Sequence, residues 1–394
     1  MNNEYADRQQ AIKLRLAGHS VEAIGRILGR SPAWFHIWWR RYRAAGPTSL
    51  LDLTRVNIQP RRITPELERT IVSIRQRLAS QLHPGTRYSL MGANAILAEL
   101  QTLEILPLPC ARTIERVLQR NGVTLPKVRL APFLPTPTYP VPHADESNQL
   151  HQVDGVGPIY LKGQRQRYYI FVGKDVFDGA VCLRIYRSRK METILDFLGE
   201  CWKSLGRPLQ VQFDNAREVV GWGPAARYLS RPIRLCLRFG VEPVFIPPAR
   251  PYRNGSVENF NGWFQSRLFQ RRYTNLSALK RELQRLEATV NTQHPQPRLE
   301  GLTPAQYRRR RKLQKLPPDY LIPTEPLAIA AGRVTFIRQV TPNGNVHLLS
   351  QTFKVGKRLK GEYVKVVLDT RRGHLTVYRR ARIFKRWPYP FLKK

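Results

Sequence analysis

The region between residues 149 and 290 carries the pattern that most constrains the fold. Three short apolar runs, LHQVDGVGPIYL, RYYIFVGKDVFD and AVCLRIY, follow one another directly. A helical segment, METILDFLGECWKSLG, comes next, followed by the run PLQVQFDN, a helix through Ile233 to Phe239 and the run VEPVFIPP. Three successive strands followed by alternating helices and strands predict a mixed sheet with helices on both faces. We therefore expect an α/β core in this region.

The charge of the chain narrows the class of its partner. The 394 residues include 66 lysines and arginines against 28 aspartates and glutamates, a formal net charge of +38. Neutralising phosphates with basic side chains releases condensed counterions and strengthens binding to nucleic acid. Ribosomal and histone-like proteins share such a charge, but they rarely carry seven tryptophans and a long mixed core. We expect a nucleic-acid partner and, from the length, roughly two to four folded domains.

Membrane and targeting patterns are missing from the sequence. No uncharged apolar run approaches the ~20 residues that cross a bilayer, and the first ten residues lack an apolar targeting centre. The four cysteines show neither a CxxC pair nor zinc-ligand spacing, so they are interpreted as reduced thiols. We expect a cytoplasmic protein, associated with a bacterial nucleoid and without a membrane partner.

Residues 1–55 contain the helix-capping and helix-ending residues expected of a helix-turn-helix domain. Ser20 can cap a second helix that Gly29 ends, and Ser31 can cap a third with Pro32 at its first position. Aromatic residues at three- and four-residue spacing are predicted to pack inward: Phe35, Trp38, Trp39 and Tyr42. The other face should meet DNA through Ala33, His36, Arg40 and Arg41. The alternative is a solvated basic helix in a purely structural domain.

Residues 60–122 predict a second helical module, either helix-turn-helix or winged-helix-like. Thr64 and Pro65 open one helix, 91–103 forms another, and 110–121 forms a third with a stripe of Ile114, Val117 and Leu118. Its opposite side carries four candidate DNA contacts: Arg112, Thr113, Arg116 and Arg120. A basic solvent-facing surface is the alternative.

Three further segments complete the domain plan. Residues 123–148 are proline-rich and predict a semi-rigid linker. Residues 291–326 predict a basic linker that lies on phosphate, with contacts from Arg308, Arg309, Arg310 and Arg311. Residues 327–390 have alternating strands and turn dipeptides, which predict a small all-β barrel.

Three acidic residues are candidates for chemistry. Asp154 stands in an apolar strand and Asp214 at the end of another, where a charge needs a cleft or a cation. Glu258 follows Asn254 or Ser256, either of which can cap its helix, and lies about 100° from the buried Val257. Nearby acids are interpreted as structural: Asp175, Asp178, Glu218 and Glu242.

Carboxylates in this arrangement suit phosphodiester chemistry. Two divalent ions can activate an oxygen nucleophile, stabilise the leaving oxygen and neutralise phosphate charge. Oxygen ligands are those that Mg²⁺ and Mn²⁺ prefer. The sequence therefore predicts a site with two such ions held by Asp154, Asp214 and Glu258.

The sequences VDG and FDN, and the longer PPARPYRNGSVENFN, resemble the catalytic core of DDE transposases and retroviral-type integrases, a ribonuclease H-like fold. The chain is most similar to bacterial insertion sequence 481-type transposases, and the similarity extends over nearly its whole length. This resemblance implies a DDE polynucleotidyl transferase that binds transposon-end DNA, cleaves phosphodiester bonds and joins 3′-hydroxyl ends to target DNA. It also implies self-association into a dimer or tetramer on DNA.

The resemblance extends to residues around the third acid, and it has departures. Asn254, Gly255 and Asn261 match the group's turn and helix, and Arg253, Asn254 and Asn261 are assigned as DNA contacts. Ala216 stands where a glycine is usual after Asp214 and Asn215. The segment GWGPAARYLSRP lengthens the interval before Glu258 and is interpreted as a surface insertion.

Two other functions fit parts of the pattern. A non-catalytic helix-turn-helix regulator derived from a transposase would use the basic helices and leave the acids structural. A ribonuclease H-like nuclease would cut DNA without transferring a strand. Metal dependence of DNA processing separates the first from a transposase, and transfer to a second duplex separates the other.

Overall fold

The computed structural model describes residues 3–52, 63–80, 85–124, 139–220, 229–248 and 254–389. The chain divides into two compact units, Met1–Arg62 and Ile63–Lys394. The predicted linker at 123–148 lies mostly outside the described residues, as do residues 221–228 of the predicted insertion.

The first unit is the predicted three-helix domain. Ser20 Oγ accepts from Ala23 N–H and Ser31 Oγ from Trp34 N–H, while Gly29 ends the second helix in the left-handed region at φ 64°. Of the four aromatic residues predicted to pack inward, Phe35 and Trp38 are buried, and Trp39 and Tyr42 are half-buried against the Trp38 cluster. The helices are α1 (Asn3–Leu16), α2 (Val21–Leu28) and α3 (Pro32–Ala45), followed by a 3-10 turn at Pro47–Leu50.

The second unit begins with a helical module that has its own apolar core. Ile71, Ile96, Ile114 and Val117 are fully buried in it, and the predicted stripe of the third helix is confirmed. Thr64 caps the first helix by accepting from Leu67 N–H. The helices are α4 (Pro65–Ser80), α5 (Ala93–Thr102) and α6 (Ala111–Arg120).

A short segment of this module, between α4 and α5, packs on the rest of the unit. Tyr88 is 1% exposed within the apolar cluster of the core, and its hydroxyl donates to Glu282 Oε1 at 2.7 Å. Arg87 pairs with the same carboxylate, and His294 Nε2 lies 2.6 Å from the Tyr88 carbonyl. The module is therefore anchored on the core by buried polar contacts.

The rest of the unit supplies strands and helices in the predicted order. The first group is β1 (Leu150–Tyr160), β2 (Arg167–Asp175), β3 (Val181–Tyr186), α7 (Met191–Leu205), β4 (Gln210–Phe213), α8 (Arg217–Val220), α9 (Arg231–Arg238) and β5 (Glu242–Phe245). The next is α10 (Gly255–Leu268), α11 (Leu276–Gln293) and α12 (Pro304–Arg309). The last is β6 (Arg333–Gln339), β7 (Asn345–Leu348), β8 (Gln351–Lys354), β9 (Tyr363–Asp369), β10 (His374–Arg379) and β11 (Arg382–Pro388).

The predicted mixed sheet is present. β1, β2 and β3 are antiparallel neighbours, and β4 and β5 run parallel to β1. Residues of α7 and α9 pack in one apolar cluster with one face of these strands, and residues of α10 and α11 pack in a second cluster with the other face. Helices thus cover both faces of the strands that carry Asp154 and Asp214, as the ribonuclease H-like resemblance implied.

The C-terminal strands differ from the predicted separate barrel. They extend the core sheet into nine strands, in the order β11-β10-β9-β6-β5-β4-β1-β2-β3, with β7 and β8 paired apart. The joint is the parallel pair β5 and β6, where Phe245 and Phe336 stack with ring centroids 5.1 Å apart. Pairing β6 to β5 satisfies backbone groups that β5 would otherwise expose as an edge.

One edge of this sheet is closed by side chains. Asn291 of α11 bonds both backbone groups of Val181, with Oδ1 accepting from its N–H and Nδ2 donating to its carbonyl. Glu287 accepts from Leu183 N–H at 2.7 Å. These contacts occupy backbone groups of the edge strand β3.

Cys110, Cys182, Cys201 and Cys236 are free thiols, three of them buried. Within the described ranges, no helix has the length and apolar character needed to cross a membrane.

Candidate active site

Asp154 lies on β1, and Asp214 lies just past the end of the neighbouring parallel strand β4. Gln152 of β1 pairs with Gln212 of β4, and each aspartate follows its glutamine by two residues. Side chains alternate along a strand, so Asp154 lies on the same face of β1 as Gln152. The two aspartates line one small cleft together with Arg189. The convergence predicted for the first two acids is thus present.

Asp154 is held in place by two donors. Its Oδ1 accepts from Gly155 N–H at 2.8 Å, and its Oδ2 accepts from Asn261 Nδ2 at 2.7 Å. Burial raises its pKa above the usual value, and the negative charge of Asp214 raises it further. Two partly buried carboxylates that repel each other are stabilised by a cation between them.

Polar side chains of the sheet fix the start of α10. Gln152 Oε1 accepts from Val257 N–H at 3.0 Å, which caps the helix. Gln212 Nε2 donates to Asn254 Oδ1 at 3.1 Å, and Asn254 Nδ2 donates to the Val153 carbonyl. Asn254 occupies the N-cap position but makes no side-chain cap bond. The predicted cap is therefore supplied by the neighbouring strand.

Lys174 adds a cation to the same junction. Its Nζ donates to the Ser256 carbonyl at 3.0 Å, and burial lowers its pKa to about 8. Gln152 pairs with Lys174 across β1 and β2. The first turn of α10 is thus bonded to side chains from β1 and β2.

Glu258 lies in this first turn and remains partly exposed. Burial raises its pKa, and the negative charge of Asp154 raises it further. A Cβ added at Gly255 or Gly262, on the same side of the helix, would meet no atom within 4 Å. The surface around Glu258 therefore has room for a substrate. Val257 is buried as predicted, and it belongs to a buried stripe of α10 formed by Val257, Phe260, Phe264 and Leu268.

The donor set of these acids suits a hard cation. Within the described part of the chain, none of the three carboxylates forms an ion pair with lysine or arginine. The buried Oδ1 of Asn261, beside Asp154, has no hydrogen-bond partner there either. Among the same residues, however, no three histidine, cysteine or acidic side chains are close enough to form a metal-binding group. The two aspartates are brought together, and the full set of three is not assembled.

The turn after Asp214 is held without the usual glycine. Asp214 Oδ1 accepts from Ala216 N–H at 3.0 Å, and Asn215 Nδ2 donates to the Ile246 carbonyl. Arg338 Nη2 donates to Asn215 Oδ1 at 2.8 Å. Side-chain contacts of Asn215 thus brace the turn at the position where Ala216 departs from the family pattern.

The predicted DNA contacts of α3 lie at the surface. Ala33, His36 and Arg40 are exposed. Arg41 is half-buried, and its guanidinium lies over the Trp38 ring at 4.7 Å. Their contact with DNA stays a prediction.

The basic face of α6 is only partly free. Arg112 and Arg116 are exposed and Thr113 is half-buried. Arg120 instead forms a two-pronged contact with Glu68, with Nε donating to Oε1 at 2.6 Å. The Arg120 guanidinium is therefore bound within the module, whereas the sequence predicted that it contacts DNA.

Several predicted contacts around the core have structural partners. Asn261, predicted to contact DNA, is 5% exposed, and its Nδ2 donates to Asp154. Asn254 is 2% exposed within the polar junction described above, so neither amide is free for DNA. Arg253 lies outside the described residues.

The segment predicted as a basic linker is tied to the core. Arg308 pairs with the buried Asp175 at 2.8 Å and Asp178 at 2.7 Å. This confirms a structural role for both aspartates and corrects the assignment of Arg308 to DNA. Glu242, bonded to Thr335, is structural as predicted, and the Glu218 side chain lies outside the description. The remaining arginines of the run are exposed: Arg309, Arg310 and Arg311.

Four residues near the acids were missed in the sequence. Lys174 and Arg189 carry no local pattern that singles them out. Gln152 and Gln212 do, because each stands two residues before an aspartate in the repeated pattern Q-x-D. That repeat is a signal that two parallel strands carry equivalent polar positions on one face.

Comparisons with known proteins agree with parts of this architecture. Residues 2–51 match the family described as Homeodomain-like domain, and no curated protein matches the chain. The HTLV-2 integrase catalytic core domain in complex with magnesium is similar in two structures. The trimeric form has 18% identity and a TM-score of 0.33, covering 42% of this chain and 98% of that one. The dimeric form has 19% identity and a TM-score of 0.32, covering 41% and 95%.

A third similar structure is the simian T-cell lymphotropic virus intasome in complex with the PP2A regulatory subunit B56 gamma. It has 16% identity and a TM-score of 0.36, covering 72% of this chain and 88% of that chain. Similarities with TM-scores this low assign no activity. The helix-turn-helix unit and the mixed sheet, in contrast, are observed directly.

Proposed function

We propose that this protein is a transposase of the DDE class, which cuts DNA at element ends and joins the freed 3′-hydroxyl groups to target DNA. The observation that carries the proposal is the pairing of Gln152 with Gln212, which sets Asp154 and Asp214 side by side. Glu258 follows in a helix whose first turn is bonded to the same strands. This order of the three acids along the chain is the one that the family resemblance implies.

Asp154, Asp214 and Glu258 would hold the two Mg²⁺ or Mn²⁺ ions of the site. When bound, such ions activate an attacking oxygen and stabilise the leaving oxygen of a phosphodiester. Asn261 keeps Asp154 oriented through its bond to Oδ2. Glu258, which is partly exposed in the first turn of α10, would complete the set.

Arg189 would place a positive charge beside the DNA in the active-site cleft. It lines the cleft with both aspartates, and a guanidinium forms two parallel hydrogen bonds with phosphate. Arg189 can thus hold the scissile phosphate beside the acids. Exposed arginines would hold DNA elsewhere: Arg40, Arg112, Arg116, Arg309, Arg310 and Arg311.

The type of mobile element, the multimer and the place of action are proposed from the sequence resemblance. We include in the proposal an insertion sequence 481-type element, assembly as a dimer or tetramer on two ends, and action at a bacterial nucleoid. The homeodomain-like unit at residues 2–51 supports recognition of the end sequence, because such units place a helix in the major groove.

One observation favours a second function. The incomplete assembly of the three acids among the described residues is what a non-catalytic DNA-binding regulator would show. In that protein the helix-turn-helix unit would act alone. The regulator would bind end DNA equally well with and without divalent metal.

The test is Asp214→Asn on end DNA. Duplexes carrying the sequences that flank the protein's own gene are incubated with the protein and Mg²⁺ or Mn²⁺, and joined products are sequenced. We expect Asp214→Asn to lose joining while end binding is retained. Asp145→Asn changes an exposed acid paired with His143 and is the matched control. Joining that survives in Asp214→Asn, or is missing from the unaltered protein, contradicts the proposal.

A further inference from the structure

Arg338 is a buried cation in the strand that joins the C-terminal part to the core sheet. It lies on β6 and is 6% exposed. Burial lowers its pKa to about 10, so it is charged at neutral pH. In the part of the chain that the structure describes, it forms no ion pair with a carboxylate.

Its hydrogen bonds within the described residues all go to neutral oxygens. Nε donates to the His347 carbonyl at 3.3 Å, and Nη1 donates to the carbonyls of Ile246 at 3.1 Å and Ile337 at 2.9 Å. Nη2 donates to Asn215 Oδ1 at 2.8 Å. The planar fork of arginine satisfies these acceptors together, which a lysine ammonium on a flexible stem does not.

Two of these acceptors belong to the candidate active site. Asn215 directly follows Asp214, and its Nδ2 donates to the same Ile246 carbonyl that Arg338 binds. Ile246 follows β5 and begins the connection to α10, the helix of Glu258. Arg338 therefore bonds the turn of one acid and the beginning of the segment that leads to another.

Fold stability alone does not explain an arginine here. Replacing a buried ion pair with well-packed apolar residues is often neutral or stabilising, so a buried charge is weak evidence of a purely stabilising role. Phe336 and Val366 nearby are apolar and buried, whereas the guanidinium of Arg338 meets oxygen acceptors. What the guanidinium adds is a fixed geometry for Asn215 and Ile246.

We propose that Arg338 is a positioning residue, which holds the turn of Asp214 in register with Asp154 so that the pair can bind divalent cations. This role rests on the proposed function, because it concerns the same acids. It makes the C-terminal strands a structural part of the active site, in addition to any contact they make with DNA.

The test compares Arg338→Lys and Asn215→Ala in the full-length protein. Arg333→Lys is the matched control, because Arg333 lies on the same strand with a side chain that is 66% exposed. Three properties are measured: the melting temperature without metal, the Mn²⁺ concentration that gives half of the metal-induced rise in melting temperature, and joining against Mg²⁺ concentration. End binding is measured in parallel.

We expect both site variants to bind end DNA like the unaltered protein and to need more Mn²⁺ for the same thermal effect. Joining should fall by roughly tenfold or more at limiting Mg²⁺, because small misplacements of reacting groups are costly, and should recover partly at high Mg²⁺. The double variant should lose no more than the worse single variant, since both changes break one contact.

The outcomes separate the two proposals. If Arg338→Lys lowers only the melting temperature, with metal dependence and joining per folded molecule unchanged, the residue is merely structural and this inference fails. Should Arg338→Lys not fold, Asn215→Ala decides by the same measurements. A protein whose joining and thermal response to Mn²⁺ do not depend on Asp214 overturns the proposed function, and the positioning role with it.

Discussion

The two helical regions ahead of the sheet have similar sequence patterns and different surroundings. In the first unit, the basic residues of α3 lie at the surface, with Arg40 exposed. In the second module, Arg120 binds Glu68, and the segment at Arg87 and Tyr88 is buried against Glu282. Helix caps are set by residues close in sequence. Whether a basic side chain is free to contact DNA, in contrast, depends on which acidic side chains the fold places beside it.

The largest expected effect is on the anchor of the second module. Glu282→Ala leaves Arg87 without its carboxylate at a site where both side chains are about one-tenth exposed. Breaking such a pair should lower the free energy of unfolding by about 3 kcal/mol or more, measured by urea titration. Glu99→Ala, which removes an exposed partner of Arg77 in the same module, should cost about 0.5 kcal/mol. Equal losses would show that the module is not held by Glu282.

His294 makes the same anchor dependent on pH. Burial lowers its pKa from 6.5 to about 4, and the charge of Arg267 contributes, whereas the bond to the Tyr88 carbonyl opposes the shift. The unfolded chain therefore takes up a proton at higher pH than the folded one. The free energy of unfolding should be highest above about pH 6.5 and fall as pH drops toward 4, by about 3 kcal/mol in full.

The measurement for His294 is urea unfolding at several pH values in that window. His294→Gln cannot be protonated, so its free energy of unfolding should vary less with pH than that of the unaltered protein. Parallel curves for the two proteins would rule out His294 as the source.

A smaller effect is expected on DNA binding by α3. Arg40→Ala removes one exposed cation, and loss of one phosphate contact should weaken binding across sequences and reduce the salt slope by about one. Fluorescence anisotropy with end DNA at several salt concentrations measures both quantities. An unchanged slope would remove Arg40 from the DNA surface.

The smallest effect is expected for Arg120→Ala. Because its guanidinium is bound to Glu68, DNA affinity should change less than for Arg40→Ala, and an exposed pair of this kind contributes about 0.5 kcal/mol to stability. Arg116→Ala, one turn earlier and exposed, is the matched comparison in the same anisotropy assay. A larger loss of affinity for Arg120→Ala than for Arg116→Ala would reverse the interpretation of this helix.

The parts predicted well from sequence are those with local causes. Ser20, Ser31 and Gly29 act within one helical turn of their own positions. The buried stripe of α10 follows from a spacing of three and four residues. Asp154 and Asp214 could be singled out because a charge in an apolar strand needs a physical reason.

The parts that were missed depend on distant contacts. Arg308 meets Asp178 across 130 positions of sequence, and no periodicity links the two. Asn261 looked accessible from its helical position, but its amide turns to Asp154. The joining of β6 to β5 pairs Val244 with Thr335, and a barrel and an extended sheet have the same alternation along each strand.

The two edge strands of the nine-stranded sheet, β3 and β11, differ in what opposes pairing with a strand of another molecule. At β3, the side-chain amide of Asn291 bonds the N–H and the carbonyl of Val181, as a neighbouring strand would. These two backbone groups are therefore not available to a strand of another molecule. At β11, repulsion between like charges opposes pairing of two copies, because Arg382, Lys385 and Arg386 stand on the strand itself. Many copies bound close together on one DNA molecule should therefore not form fibres by edge-to-edge pairing of this sheet. Side-chain contacts occupy the β3 edge, and positive charge opposes pairing at the β11 edge.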